Sequence, residues 1–183
     1  MKHRQFALRL VKFLLDRLHL ALLVLPFGQA AAQESMPAPI EASIEIDAPV
    51  SEAWAMWTTQ EGLSFFAPAS LIEMEPGGRY EVYFAVDAPV GQRGSEGTHV
   101  LGFQPERMLT ITWALPPYMP EVRAHLTPLT LTFEPLSDTR TRVTILHSGW
   151  GQGGQWDQAR AYFATNWPAV LDLMKSAAEA DQE

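Results

Sequence analysis

The chain has no cysteine. That excludes a disulfide framework, a thiolate nucleophile and any metal held by thiolates. It does not argue against export, because a domain of this size is stable without staples. Histidine is scarce too: beyond residue 32 there are only His99, His125 and His147. Basic residues thin out along the chain. Residues 1–32 hold five of the 13 Lys/Arg and one of the 21 Asp/Glu, leaving 8 bases against 20 acids, a formal charge of −12. So acidic a surface repels phosphate backbones, and no nucleic-acid partner is expected. Internal repeats and low-complexity tracts are also missing.

A long apolar run is absent as well. LALLVLPFG (20–28) is about half the roughly twenty residues a membrane helix needs, and Asp16, Arg17 and His19 interrupt any longer stretch. Lys2, Arg4, Arg9, Lys12 and Arg17 precede it, and Ala30-Ala31-Ala32 supplies a small-x-small cleavage pattern. This order predicts a secretory signal over 1–32 rather than a retained anchor. The expected location is periplasmic or secreted, with no stable membrane insertion after cleavage. A polar, Pro-containing lead-in (33–40) and one domain (41–180) follow; 47% hydrophobic and 19% charged residues suit a folded protein.

EASIEID (41–47) alternates like a strand with one wet face. Pro49 and Glu52 suit a first helical turn, and Val50, Ala53, Trp54 and Trp57 give a short helix over 49–59. A second short helix or turn carries Leu63, Phe65 and Phe66. From 70 onward the period is two: RYEVYFAV (79–86) sets Tyr80, Val82, Phe84 and Val86 on one face. GTHVLGF (97–103), MLTITWA (108–114), LTLTFE (129–134) and RVTIL (142–146) follow. The last segment, 155–180, is helical, with Trp156, Ala159, Phe163, Trp167, Val170, Leu171 and Met174 on one stripe. Pro168 predicts a kink or a fresh helix start. Strands bracketed by helices specify an α+β fold with one antiparallel sheet.

DAPVSEAWAMWTTQEGLSFFAP, EPGGRYEVYF, GFQPERMLTITW, LTLTFEPLSDTRTRVTILHSGW and NWPAVLDLM, taken in order, resemble the START/SRPBCC (Bet v allergen-like) superfamily. More narrowly, they resemble bacterial relatives of the activator of the 90-kDa heat-shock-protein ATPase (AHSA-like). The resemblance spans about 41–178. It implies a helix-grip fold: a curved antiparallel sheet wraps a long C-terminal helix around an apolar cavity, with two short helices after the first strand. It implies little about chemistry, since such folds host lipid binders, polyketide cyclases and co-chaperones. An exported chain does not meet cytosolic ATP-dependent chaperones, so the co-chaperone role does not transfer. The Pro-rich segment PPYMPEVRAHLTP (116–128) is a candidate rim or lid.

HSGW (147–150) poses the sharpest chemical question. A hairpin centred near Asp138 puts Phe133 opposite Val143, Leu131 opposite Ile145 and Leu129 opposite His147. His147 then lies on the apolar face and Ser148 on the other. Adjacent strand residues cannot form a nucleophile–base pair, and the hydrolase-elbow glycine is missing. In this register His147 lies roughly 13 Å along the strand from His125, too far for a shared ion. No metal or cofactor is expected. His147 is either a hydrogen-bonded interior residue or a polar contact at the cavity mouth. Arg79 and the acids Glu73, Glu75 and Glu81 are better placed for surface pairing than for a site.

The aromatics are either core or lining. As lining, the candidate ligand-binding residues are Trp57, Phe66, Tyr80, Phe84, Phe103, Trp113, Leu131, His147, Phe163 and Trp167, with Tyr80, Trp113 and His147 as polar handles. The expected function is binding of a small hydrophobic or aromatic ligand. The alternatives are a cyclase- or aromatase-like enzyme using His147 or Tyr80 for proton transfer, and protein interaction through 116–128. Nothing in the residues sets an oligomeric state.

Overall fold

The computed structural model describes residues 36–180. The expected leader, 1–32, lies outside the described residues. The elements run β1 (Ile40–Ile46), α1 (Val50–Thr58), a 3₁₀ turn (Gly62–Phe65), β2 (Ala69–Ile72), β3 (Tyr80–Tyr83) and β4 (Gly94–Ser95). Then come β5 (Val100–Gln104), β6 (Met108–Ala114), β7 (Leu126–Ser137), β8 (Arg140–His147) and α2 (Gly154–Ala180). Five strands form an antiparallel sheet in the order β1-β8-β7-β6-β5, and β2-β3-β4 form a smaller one. Backbone bonds from Tyr80 N to Thr98 O (2.9 Å) and from Val100 N to Gly78 O (2.9 Å) join the two. The curved sheet and long C-terminal helix make the expected α+β helix-grip fold.

The β7–β8 register is the expected one: Phe133, Leu131 and Leu129 face Val143, Ile145 and His147. Period-two apolar residues on β6, β7 and β8 put Leu109, Ile111, Leu129, Leu131, Val143 and Ile145 on one buried face. α2 lies across it with Ala159, Phe163, Trp167, Leu171, Met174 and Ala178 buried. Each fully buried Leu, Ile or Val contributes roughly 1.5–3 kcal/mol relative to exposure. α1 closes one end of the sheet. Its Trp57 donates Nε1–H to Met174 Sδ at 3.3 Å, tying the two helices together.

Three local expectations differ. Of the two expectations at Pro168, the fresh helix start is excluded, since α2 continues through it. Pro168 and Ala164 both lie on the exposed face, so the carbonyl that loses its helical donor there is on the solvent side. The strand expected over 79–86 stops at Tyr83, where the chain turns, and Val86 is exposed. The strand expected from 97 starts at Val100; before it, Thr98 Oγ1 bonds the carbonyls of Tyr80 and Ser95, and the strand pairing at His99 is only an isolated bridge with Arg79.

Candidate functional site

Among the described residues a cleft of about 360 Å³ opens beside α2. One wall is the helix flank carrying Tyr162, Asn166, Val170 and Leu173, with Phe163 and Trp167 deeper. The floor is the end of β6, Trp113 and Ala114; the far walls are 115–118 and 92–95, and Phe66, Phe84 and Ala85 complete the enclosure. The rings interlock. Trp113 meets Trp167 edge-on at 5.2 Å, Phe163 stacks on Trp167 at 5.4 Å, and Phe66 touches Phe84 at 5.8 Å. At the mouth Tyr118 and Tyr162 form a T-shaped pair at 6.4 Å. Phe84 is 48% exposed, Tyr118 65% and Leu173 50%, so the rim is an open apolar surface.

The Pro-rich segment is a docked wall. Arg123 donates to the carbonyls of Gly91 (3.0 Å), Gly94 (2.8 Å) and Leu115. Glu121 N donates to Gln155 Oε1 (2.9 Å) at the start of α2, while Met119 and Val122 are buried beneath. One guanidinium therefore fastens both far walls to each other.

Of the sequence-predicted lining residues, Phe66, Phe84, Trp113, Phe163 and Trp167 border the cleft. The other five do not. Trp57 is sealed between α1 and α2, and Leu131 lies under the middle of the sheet. Phe103 packs on Trp54 at 6.3 Å, at the α1 end. Tyr80 is fully buried and donates its hydroxyl to Trp57 O at 2.6 Å; burial pushes its pKa strongly up. His147 is fully buried as well. The reasons differ: Phe103, Leu131 and His147 lie on stretches of the five-stranded sheet away from the cleft, while Trp57 on α1 and Tyr80 on β3 are bonded to each other in the core.

His147 has both ring nitrogens engaged. Trp167 Nε1 lies 3.0 Å from Nδ1, and Thr127 Oγ1 lies 2.7 Å from Nε2. An indole nitrogen only donates. Nδ1 must therefore accept, Nε2 must carry the proton, and Thr127 passes its own hydrogen to Trp113 O at 3.1 Å. Trp150 packs at 4.3 Å from the imidazole and donates to the His147 carbonyl at 2.8 Å. Burial lowers the His147 pKa to about 3, so the ring is neutral. Gly149 then leaves the strand at φ 80°, where a Cβ would sit 2.8 Å from Pro128. His147 is thus a buried strand end, and through it HSGW holds Trp150 and Trp167 in place.

Tyr162, Leu173 and Arg93 line the cleft and were not singled out from sequence; Tyr118, in the segment expected as a rim, and Val170, on the α2 stripe, line it too. Tyr162, Asn166 and Val170 recur every four residues along α2, one position before Phe163, Trp167 and Leu171. That half-buried flank of the stripe is the signal that could have found them. Elsewhere, Arg79 pairs with Glu73 at 2.9 Å on the surface. Among the described residues no group of three or more His, Asp or Glu is placed to hold a metal ion. A second depression, of about 600 Å³, is lined by Val50, Phe133, Pro105 and Pro135 together with the charged Glu106, Arg107 and Glu134.

Comparison with known proteins bears on the fold. Among solved structures, the chain is similar to the Aha1 dimer from Colwellia psychrerythraea, with TM-score 0.58 and 19% identity over 78% of this chain and 97% of that one. Protein MLL2253 from Mesorhizobium loti gives TM-score 0.58 and 19% identity over 74% and 94%. CalU16 from Micromonospora echinospora gives 0.56 and 19% over 75% and 71%. No curated protein matches the sequence. Residues 47–179 match the family described as Activator of Hsp90 ATPase homolog 1-like protein, which covers α1 through nearly all of α2. With that span matched, the chain belongs to the Activator of Hsp90 ATPase homolog 1-like family, on an SRPBCC-type helix-grip fold.

Proposed function

We propose that this protein is an exported binder of a small hydrophobic or aromatic ligand, held in the cleft between α2 and the end of β6. The observation that carries the reading is an aromatic-lined opening of about 360 Å³, rimmed by exposed rings. Ligand sites have this character: concave, largely apolar and preformed. Export rests on the basic leader, apolar run and Ala30-Ala31-Ala32 of the sequence.

A cyclase- or aromatase-like activity needs a proton-transfer group that reaches the ligand. Its two candidates do not reach the cleft: His147 is held between Trp167 and Thr127, and Tyr80 is bonded to Trp57 O. The 116–128 segment is built into the cleft wall, which favours a ligand-binding role for it over a separate interaction loop. Native mass spectrometry of protein purified from its host, with thermal shift against a panel of aromatic and aliphatic compounds, tests the proposal. A bound mass or a raised melting temperature is expected for aromatic members. Uniform failure across the panel and an empty native spectrum would refute it.

A further inference from the structure

Among the described residues four tryptophans are buried, and three of them spend their indole N–H inside the protein. Trp57 donates to Met174 Sδ (3.3 Å), Trp150 to the His147 carbonyl (2.8 Å) and Trp167 to His147 Nδ1 (3.0 Å). Trp113 differs. Its Nε1–H has no acceptor among the described residues, although a buried indole usually finds one. Nor is that nitrogen sealed off. The side-chain atoms closed to solvent without a hydrogen bond, among the described residues, are Ser70 Oγ and Glu179 Oε1. Trp113 Nε1 therefore meets open space, and the open space against this ring is the cleft whose floor it forms.

A second donor lies beside it. Ser95 lines the cleft and is buried; it pairs with Val82 and so points to the buried side of the small sheet, as Tyr80 and Val82 do. Its Oγ accepts from the backbone N–H of Ala114, the other floor residue, at 3.0 Å. Its own hydroxyl hydrogen has no acceptor among the described residues. Of the three polar handles expected from sequence, Tyr80 and His147 are bonded internally, and Trp113 is left for a ligand.

From these two groups we infer that the cleft selects ring compounds bearing a neutral acceptor oxygen: an aryl ketone or quinone whose carbonyl is received by Trp113 Nε1–H and Ser95 O–H. The inference rests on the cleft being the ligand site. A plain hydrocarbon would fill the ring-lined space but strip water from both donors and leave them unpaired, which costs free energy. A carbonyl oxygen has two lone pairs and no hydrogen, matching a floor that offers donors. Being neutral, it also enters a site of rings without the desolvation penalty of a carboxylate. The other polar lining is occupied or shallow. Gln92, Tyr118 and Tyr162 are exposed, Arg93 is tied to Glu96 at 2.7 Å, and Asn166 donates Nδ2–H to Tyr162 O at 2.7 Å.

Fluorenone and fluorene test this, because they share one ring frame and differ by a carbonyl in place of a methylene. Both are titrated against the folded protein and its Trp113→Phe and Ser95→Ala variants, each checked by its melting curve. Trp113→Phe removes ring area for both probes but a donor only for the ketone. It should therefore lower the ratio of fluorenone to fluorene affinity by about threefold to tenfold, the scale of one neutral hydrogen bond. Ser95→Ala should lower the same ratio. The infrared carbonyl stretch of fluorenone, read with the unaltered protein in excess, needs no variant to fold. It should lie below its position in a hydrocarbon solvent and move back toward it in Trp113→Phe. A hydrocarbon-like stretch in the unaltered protein, or an unchanged affinity ratio in both folded variants, overturns the acceptor selectivity while leaving apolar binding intact. If neither probe binds the unaltered protein, the ligand-site reading itself fails, and this inference with it.

Discussion

Trp167 donates its indole hydrogen to Nδ1 of His147 across 3.0 Å, and that single bond fixes the protonation of a histidine 20 residues away in sequence. Because the indole cannot accept, the imidazole is an acceptor on that side and a donor to Thr127 on the other. Both ends of the relay reach the cleft: Trp167 is one of its walls, and the Trp113 carbonyl that ends the relay belongs to the residue forming its floor. His147 is thus a structural part that sets two binding surfaces, without touching what they bind.

Replacing His147 by Leu is expected to destabilise the protein by about 2–4 kcal/mol, since it strands the Trp167 donor and removes the donor to Thr127 in a dry interior. Equilibrium urea unfolding measures it. A loss below about 1 kcal/mol would mean the relay is not structural.

Acid should weaken the fold through the same residue. His147 has a folded pKa lowered to about 3 from 6.5, so between those values the unfolded chain holds one more proton. Stability from this group is therefore complete above pH 6.5 and is lost as pH falls toward 3, by about 1.4 kcal/mol per pH unit. Comparing the protein with His147→Leu isolates it from the carboxylates. From pH 8 to pH 5 the unaltered protein should lose about 2 kcal/mol more than the variant. Parallel pH profiles would contradict a neutral, buried His147.

Arg123 makes the next expectation. Arg123→Met removes donors from the Gly91, Gly94 and Leu115 carbonyls and leaves Glu96 with one cation fewer. Amide hydrogen exchange over 116–125 and 91–95 should accelerate at least about tenfold, with a stability loss of roughly 2 kcal/mol, while the β7–β8 amides exchange as before. Unchanged protection in the rim would show that the clasp does not hold it.

The leader gives an expectation of a different kind. Expressed in a Gram-negative host, the chain should be recovered from the periplasm with an intact mass that lacks residues 1–32. Recovery of the full-length mass from the cytoplasm would contradict export.

How much of this was legible beforehand follows from the reach of each signal. Parity along LTLTFE and RVTIL placed Leu129 opposite His147 and put the imidazole inside, because strand register is a local rule that a tight hairpin enforces. The stripe on α2 was equally legible from period alone. The cleft was not. Parity says that Phe103, Leu131 and Tyr80 face inward, and Leu131 and Tyr80 are buried with Phe103 partly so, but it cannot say which part of an inner face a helix will cover. Tyr162 and Leu173 escaped for the converse reason: they sit on the flank of the helical stripe, where burial depends on how closely Tyr118 and the Pro-rich segment approach. At Pro168 the fresh helix start did not follow, because local chemistry forbids only one hydrogen bond and the solvent side of α2 tolerates its loss.

The most direct test of the central claim is a titration of the protein with N-phenyl-1-naphthylamine, read by the indole N–H resonances in a ¹H–¹⁵N spectrum. The signals of Trp113 and Trp167, whose rings border the cleft, should shift and saturate together, while those of Trp57 and Trp150, sealed in the core, stay in place. No shift at Trp113 and Trp167 at probe saturation, or shifts centred on Trp57 or Trp150 instead, would contradict the cleft as the binding site.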